Sequence, residues 1–315
     1  MRSSPAPKSP APQVGPTKPA ASTTSFCSSP ATAPTSPRRS PAPAPPPASD
    51  PRFETAPRPW LGSAPNVSCA APCSGFPAAA RAVSAVLCSH PGVWVRDSLR
   101  KLEHDILQCQ RCPRLLSWCA RVAREKRRAY RDWDYWGRPV PGFGDPEARV
   151  YILGLAPGAH GANRTGRVFT GDSSGDWLYR ALWETGFANQ PESTRRGDGL
   201  ALSGAWIGAS VRCAPPANRP LPEEFARCRE YVARELALLK SVRVVVALGR
   251  LAHDNFFVLR GLPRNAFPFS HGAVHEAGCL ILLDSYHPSR QNTQTGRLTR
   301  EMLRAVFHHA RRLVQ

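Results

Sequence analysis

The chain has 315 residues, enough for one or two domains with a sizeable core. Its 42 Lys and Arg outnumber 23 Asp and Glu, and the formal net charge of +19 indicates either a nucleic-acid-binding surface or a general Arg bias. No apolar run of about 18 residues occurs, which excludes a membrane-spanning helix, and the N-terminus lacks the apolar segment of a secretory signal. We therefore expect a cytoplasmic protein whose cysteines are reduced unless they bind a metal.

Residues 1–95 are rich in Pro, Ala and Ser and contain few acidic residues. Such a segment cannot bury enough apolar surface to offset the entropy cost of ordering, so we predict that it is disordered. Its composition superficially resembles a transit peptide, but it contains no amphipathic helical stretch. We therefore expect the folded domain in residues 96–315.

In the folded part, residues 97–130 show the apolar spacing of helices, and Pro113 can begin a second helix within this segment. Four apolar runs follow, separated by helical patterns. The runs are Val150–Leu155, Ala205–Ala209, Val242–Leu248 and Cys279–Asp284, and the helices are 174–186, 221–240, 249–260 and 297–313. Alternating strands and helices predict an α/β fold whose parallel sheet is covered on both faces.

In such folds ligands bind beyond the carboxyl ends of the strands. The loops at those ends hold nearly all the unusual polar residues; they are 154–172, 210–220, 249–250 and 285–296. The first loop is rich in glycine and ends at Asp172, Ser173 or Ser174, each of which can cap the following helix. Backbone N–H groups at such a turn and helix start bind anionic or oxygen-rich groups, so we predict the site there.

Ten cysteines occur. Those in the predicted tail are Cys27, Cys69, Cys73 and Cys88. Cys119, on a helix, and Cys279, on a strand, fit small core positions. The remaining four are Cys109, Cys112, Cys213 and Cys228. Four thiolates can bind zinc or a [4Fe–4S] cluster, and unligated core cysteines are the third possibility. The chain lacks a second C-x2-C pair, which favours the cluster without deciding between them.

Several motifs occur in order: G-L-A-P-G-A-H-G-A-N-R-T-G-R-V-F-T-G-D-S-S-G at 154–175, V-R-C-A-P-P-A-N-R-P at 211–220 and S-Y-H-P-S-R-Q-N-T-Q-T-G-R-L-T at 285–299. A C-x2-C-P-R-L segment begins at Cys109, and P-V-P-G-F-G-D-P-E-A-R occupies 139–149. Together they resemble the iron–sulfur uracil-DNA glycosylases, specifically the type-b branch of family 5. The resemblance covers about residues 97–313.

The resemblance implies a three-layer α/β/α fold with a four-stranded parallel sheet. It also implies a [4Fe–4S] cluster, with Cys109, Cys112, Cys213 and Cys228 as its ligands. The implied activity is the flipping and hydrolytic removal of uracil from DNA, which leaves an abasic site. From this we expect a monomer that binds DNA, associates with the bacterial nucleoid and has no membrane partner.

The resemblance also implies roles for single residues. Asp172 would position the water, His287 would stabilise the leaving base, and Phe169 would stack on the flipped base. The other expected base-pocket residues are Gly154, Ala156, Gly158 and Asn218. The expected DNA contacts are Arg164, Arg290, Gln291, Asn292 and Arg297. Each role has a plainer competitor: a helix N-cap for Asp172, a core aromatic for Phe169, and solvated charges for the arginines.

One position departs from the related family 4 enzymes, which carry an Asn on the second strand that reads the pairing edge of uracil. This chain has Ala209 there. The departure puts strict selection of uracil in doubt, and hypoxanthine and xanthine become candidate substrates.

Two alternatives remain from other functional classes. One is a DNA-binding iron–sulfur protein of the same fold without catalysis, which the presence of both Asp172 and His287 disfavours. The other is a nucleotide-binding α/β protein, but the glycine-rich loop lacks G-x-x-x-x-G-K-[ST], and no G-x-G-x-x-G opens the helix.

Overall fold

The computed structural model describes residues 97–315. The tail predicted to be disordered, with its four cysteines, lies outside this range. The helices are α1 Leu99–Leu107, α2 Pro113–Glu125, α3 Ala162–Thr165, α4 Ser173–Glu184, α5 Pro222–Leu238, α6 Arg250–Leu259, α7 Arg290–Gln294 and α8 Arg300–Leu313. The strands are β1 Phe143–Gly144, β2 Val150–Gly154, β3 Ala205–Ala209, β4 Val244–Leu248, β5 Val274–Ala277 and β6 Leu280–Ser285. Short 3-10 turns lie at Arg128–Tyr130, Pro216–Asn218 and Arg264–Ala266.

Local signals explain where several helices begin. Pro113 and Pro222 occupy the first turns of α2 and α5, where a missing N–H costs nothing. The Glu224 side chain of α5 accepts from the backbone N–H of Leu221 at 2.7 Å. The Thr299 hydroxyl caps α8 by accepting from the Met302 N–H at 3.2 Å.

The sheet has six strands in the order β1-β3-β2-β4-β6-β5. Its four central strands run parallel, which confirms the predicted four-stranded parallel arrangement. Two antiparallel edge strands, β1 and β5, were not predicted. They have two and four residues, and β5 alternates exposed and partly covered positions, so neither gives the continuous apolar run of a buried strand.

The parallel register brings the predicted loops together. Gly154 at the end of β2 pairs with Ala209 at the end of β3, and Leu248 at the end of β4 pairs with Ser285 at the end of β6. The carboxyl ends of the four strands therefore lie at one edge of the sheet. The loops that follow them emerge beside one another.

Helices cover both faces of the sheet. On one face Ile152 and Val246 pack with Leu178 of α4 and Phe307 of α8. On the other face the core includes side chains from β2, β4, α5 and α6, among them Leu153, Val245, Val232 and Phe256. Neighbouring residues of β2 belong to opposite faces, as the period of a strand requires. This arrangement confirms the expected α/β/α layers.

A third buried cluster lies outside the two main layers. It joins α1 and α2 to α5 and to the loop after β3, and it contains Leu102, Leu115, Val211 and Tyr231 together with the predicted ligand cysteines. Arg234 of α5 ties α1 in place by bonding Asp97 and Asp105, each at 2.8 Å. None of the helices within residues 97–315 is long and apolar enough to cross a bilayer.

Candidate active site

The glycine-rich loop folds back on Phe169 and Asp172. An added Cβ at Gly154 would lie 2.7 Å from the Phe169 ring, and one at Gly158 would lie 2.8 Å from Oδ2 of Asp172. At Gly161 an added Cβ would overlap the same carboxylate oxygen. The glycines therefore let the backbone approach these two side chains closely. Gly161 is not among the expected pocket residues, because the motif alone does not show which of its glycines faces Asp172.

Asp172 is the N-cap of α4. Its Oδ1 accepts the backbone N–H of Gly175 at 3.0 Å, while Oδ2 faces Gly158 and Gly161. Burial raises the pKa of Asp172, although the N–H groups of Gly175 and Ser174 oppose this. The capping role is thus real, and it leaves the second oxygen directed at the glycine loop. Capping and chemistry do not compete for the same atom.

Phe169 is held in an uncommon backbone conformation, with φ of 50°. A non-glycine residue in this region is strained, and such strain persists only where the surroundings enforce it. Gly175 provides the space, because a side chain there would overlap the Phe169 carbonyl oxygen. The Tyr179 hydroxyl also donates to the neighbouring Val168 carbonyl at 2.9 Å. The Phe169 ring stays partly exposed.

His287 follows β6 and faces Phe169, with ring centroids 5.9 Å apart and planes inclined by 34°. Burial lowers the pKa of His287 to about 4, so its imidazole is neutral near pH 7. Asn292 donates its side-chain N–H to the His287 carbonyl at 2.8 Å. Gly249 leaves room for the histidine, because an added Cβ there would lie 3.2 Å from the His287 Cβ.

The loop that carries His287 also touches the start of α4. Arg290 donates from Nε to the Ser173 hydroxyl at 3.3 Å. The Ser289 hydroxyl caps α7 by accepting from the Asn292 N–H at 3.4 Å. Asp172, Phe169 and His287, which lie on two distant segments of the chain, are therefore brought to one site.

The predicted DNA contacts divide into buried and exposed residues. Arg164 is only 3% exposed, and its guanidinium lies 3.9 Å from the Tyr130 ring centroid and 4.0 Å from that of Trp133. It donates to the carbonyls of His160 and Gly171 at 2.8 and 2.7 Å. The buried Arg164 side chain therefore stabilises the loop from inside the protein and is not available to contact a phosphate, contrary to the prediction.

The remaining expected contacts lie at or near the surface. Arg290, Gln291 and Arg297 are exposed, and Arg297 lies 4.6 Å over the Tyr286 ring. Asn292 is half-buried, and its bond to the His287 carbonyl gives it a positioning role. Asn218 is exposed at a turn with φ of 54°, and its place in a base pocket stays a prediction.

The four predicted ligand cysteines converge in the third buried cluster, and none of them forms a disulfide. Cys109 and Cys112 flank the junction of α1 and α2, Cys213 follows β3, and Cys228 lies on α5. Burial raises the pKa of Cys112, and it raises that of Cys228 to about 11. Neutral thiols are therefore favoured unless a cation holds them as thiolates.

Two further cysteines were assigned to the core. Cys119 is fully buried, as predicted, and its side chain also forms a hydrogen bond with that of Cys213. This hydrogen bond, followed by burial, raises the pKa of Cys213. Cys279 is exposed in the turn between β5 and β6, so its predicted core position is wrong. The hairpin was missed because β5 gave no strand signal, and the predicted strand therefore began one residue early.

A buried ion pair supports the segment that carries Cys213. Arg212 is 1% exposed and donates to Oε2 of Glu235 at 2.5 Å. The Tyr151 hydroxyl donates to the same oxygen, and Gly208 leaves space for this contact. Ala156, one of the expected pocket residues, is partly buried and packs against the third buried cluster. The start of the glycine-rich loop thus packs against the cluster that contains the cysteines.

Comparison with known proteins identifies the family. The model of the uracil DNA glycosylase superfamily matches residues 141–311. A type-5 uracil-DNA glycosylase of Thermus thermophilus is 56% identical over 206 residues, which covers 65% of this chain and 93% of the relative. One of Mycobacterium tuberculosis is 49% identical over 219 residues, covering 69% and 82%. A type-4 uracil-DNA glycosylase of Archaeoglobus fulgidus is 33% identical over 155 residues, covering 48% and 70%. The chain therefore belongs to the uracil-DNA glycosylase superfamily, and it groups there with the type-5 members.

Proposed function

We propose that this protein hydrolyses the N-glycosidic bond of uracil in DNA and leaves an abasic site. The observation that carries the proposal is the position of Asp172, whose Oδ2 faces the glycine loop beside Phe169 and His287. The type-5 relatives are named for the same activity. A catalytically inactive DNA-binding protein is disfavoured, because it would not need to keep this arrangement assembled.

The substrate base must leave the duplex before it can react, since its glycosidic bond is hidden in the stack. Phe169 offers a partly exposed face on which the flipped base stacks. Gly154, Ala156 and Gly158 belong to the same loop as Phe169, and their backbone N–H groups supply hydrogen-bond donors for the base oxygens. Ala209, paired with Gly154 across the sheet, provides no polar side chain to read the pairing edge. We therefore propose that hypoxanthine and xanthine are also accepted.

Bond cleavage places positive charge on the sugar and negative charge on the departing base. In its ionised form Asp172 stabilises the sugar cation and orients or deprotonates the attacking water. His287, neutral because of burial, donates a hydrogen bond to the base oxygen where negative charge develops. A well-aimed donor of this kind contributes roughly 3 kcal/mol to the transition state.

The loop that carries His287, residues 285–296, is called the His287 loop, and its exposed residues would contact DNA. Arg290 and Arg297 are positioned to bind phosphates, which fix the register of a protein on the duplex. Pro288, directly after His287, stiffens a wedge that fills the space left by the flipped nucleotide, and Gln291 adds a polar group at the surface. We expect a monomer acting on the nucleoid in the cytoplasm.

The four cysteines fit a [4Fe–4S] cluster. Cys109, Cys112, Cys213 and Cys228 form no disulfide and lie together in the third buried cluster; they come from three segments, the junction of α1 and α2, the loop after β3, and α5. The chain has a single C-x2-C pair among these four cysteines, whereas zinc sites more often have two, and this favours a cluster. When bound, the cluster supplies a structural link between α1, α2, α5 and the loop after β3.

The activity is tested on duplexes that carry U·G, U·A, hypoxanthine, xanthine or no lesion. Each duplex is incubated with the iron-loaded protein, and alkali then converts abasic sites into strand breaks. We expect breaks with every lesion and none with the undamaged duplex. No breaks with any lesion would leave the inactive DNA-binding protein as the correct alternative.

The base range is tested by Ala209→Asn, which adds a polar side chain at the end of β3. We expect this variant to keep most activity on uracil and to lose activity on hypoxanthine and xanthine. Unchanged ratios among the bases would show that Ala209 does not set the base range. An iron assay and the visible absorption of the same preparation test the cluster, and a colourless protein containing zinc would contradict it.

A further inference from the structure

A second group of ligand-type side chains lies away from the cysteines. It consists of His253 on α6, His275 on β5 and Asp284 near the end of β6. His253 Nδ1 is 2.8 Å from Asp284 Oδ1, and His275 Nε2 is 3.1 Å from Oδ2. Within the described part of the chain, this is the only group of three or more His, Cys, Asp or Glu whose ligand atoms all lie within 4.8 Å.

The hydrogen-bonding partners of His253 leave one proton unaccounted for. Its Nε2 is 2.9 Å from the Phe267 carbonyl oxygen, which can only accept, so Nε2 carries a hydrogen. In a neutral ring Nδ1 then has a lone pair, and that lone pair faces a carboxylate oxygen of Asp284. Two acceptors 2.8 Å apart require a cation to bridge them, which is either a proton or a metal ion.

The geometry of the group suits a metal ion. Donor atoms bonded tetrahedrally to one zinc ion at about 2.1 Å lie roughly 3.4 Å apart. The two measured N···O distances, 2.8 and 3.1 Å, are slightly shorter than this value, so a bound ion would move these side chains a few tenths of an ångström apart. The bond from the second ring nitrogen of His253 to a backbone carbonyl is the contact that usually orients a metal-binding histidine.

The surroundings are apolar and aromatic. The His253 ring lies 4.8 Å from Phe257 and 5.5 Å from Phe269, and Asp284 is fully buried. A carboxylate charge beside two neutral imidazoles is costly in such a place, and a divalent cation would compensate it. The His275 side chain is 10% exposed, which leaves an approach from solvent.

We propose that His253, His275 and Asp284 bind one divalent transition-metal ion, with Zn²⁺ the best match to two imidazoles and a carboxylate. The site is separate from the four cysteines and does not depend on the proposed glycosylase activity. It joins α6, β5 and β6 three residues before His287. A metal ion there would fasten the strand end from which the His287 loop departs.

The test uses the full-length protein with its iron content measured. The protein is treated with a zinc chelator, desalted and titrated with ZnCl2 in a calorimeter, and bound zinc is counted after a second desalting. We expect one Zn²⁺ per chain in addition to the iron, and an increase in Tm. Absence of stoichiometric zinc in the wild type would show that a proton bridges His253 and Asp284, and would overturn the proposal.

Two variants locate the ion. His275→Gln removes a ligand at a partly exposed edge-strand position, and we expect at least about tenfold weaker zinc binding. His308→Gln, on the exposed face of α8, is the matched control and should bind zinc as the wild type does. Unchanged binding in His275→Gln would contradict the assignment.

A measurement on the wild type alone guards against a variant that fails to fold. Co²⁺ replaces Zn²⁺ in the same titration, and the visible spectrum is recorded. Ligand-field bands without a cobalt–thiolate charge-transfer band support the His and Asp site. A thiolate band would place the metal on the cysteines and overturn the proposal.

Discussion

The two loops that form the site are built in opposite ways. The glycine loop, 154–172, is mostly buried and is braced from inside by Arg164, which touches two aromatic rings and two carbonyls. The His287 loop is open, with Arg290 and Gln291 exposed, and it is tied to the glycine loop by the Arg290 to Ser173 bond and the ring contact with Phe169. The buried loop holds the carboxylate of Asp172 in place, whereas the exposed loop can change its conformation when DNA binds.

The difference follows from the tasks proposed for each loop. A carboxylate that serves a water must be held within a fraction of an ångström, because small misplacements cost large factors in rate. Phosphate contacts tolerate adjustment, since Arg side chains reach the backbone from many positions. Changes in the glycine loop should therefore affect the chemical step. Changes in the exposed part of the His287 loop should affect binding.

His287 is the residue of the open loop that belongs with the chemistry. His287→Leu keeps the bulk of the side chain but removes the donor aimed at the leaving base. We expect the single-turnover rate constant to fall about 100- to 1,000-fold, with DNA affinity nearly unchanged. His308→Leu on α8 is the control and should react at the wild-type rate. If His287→Leu lowered DNA affinity by the same factor as the rate constant, His287 would act in DNA binding and not in the chemical step.

Gly161→Ala tests the precision of the buried loop. Its added Cβ overlaps Oδ2 of Asp172 and must displace the carboxylate. We expect the rate constant to fall about 100-fold, because a shift of roughly 1 Å has such an effect. Gly197→Ala is the control for a general glycine effect. Its Cβ meets nothing within 4 Å, so it should cost about 1 kcal/mol of backbone strain and no activity.

The acid sensitivity of folding tests the burial of His287. Burial lowers the pKa of His287 to about 4, against about 6.5 in the unfolded chain. Between these values the unfolded state binds a proton that the folded state does not, so stability falls as the pH is lowered from about 6.5 to 4. We expect the Tm of His287→Leu to fall less than that of the wild type across this window. Parallel curves would contradict a buried neutral imidazole.

Arg290→Ala should have the smallest effect. It removes one exposed charge from the His287 loop and one bond to Ser173. We expect binding to weaken a few-fold and the slope of log K against log salt to decrease by about 1, with an unchanged rate at saturating enzyme. Binding measured by fluorescence anisotropy at several salt concentrations gives the slope. A large loss of rate at saturation would show that the open loop also fixes the catalytic geometry.

The central part of the fold could be predicted from the sequence because its signals are local. The four parallel strands are continuous apolar runs, and a cap or proline marks several helix starts. The edge strands β1 and β5 could not be predicted, since their pairing depends on neighbours distant in the chain. For the same reason Cys279 was assigned to the core, although it lies in the turn of a hairpin.

The candidate site could be predicted in part. The resemblance singled out Asp172, Phe169 and His287, and the structure brings them together. The burial of Arg164 could not be predicted, because an Arg in a polar motif is expected to be exposed. In the structure its guanidinium lies over the rings of Tyr130 and Trp133, which are more than 30 residues away in the sequence. The His253, His275 and Asp284 group was also missed, since its members are spread over three elements.

The most direct test of the account is the single-turnover rate of Asp172→Asn on a U·G duplex, measured together with its Tm. Asn caps helices about as well as Asp, so the variant should keep the Tm and the DNA affinity of the wild type. Asp176→Asn, in the same helical turn and exposed, is the control. We predict at least about a 1,000-fold lower rate for Asp172→Asn and an ordinary rate for Asp176→Asn. A wild-type rate in Asp172→Asn would show that this carboxylate is only a helix cap and would contradict the account.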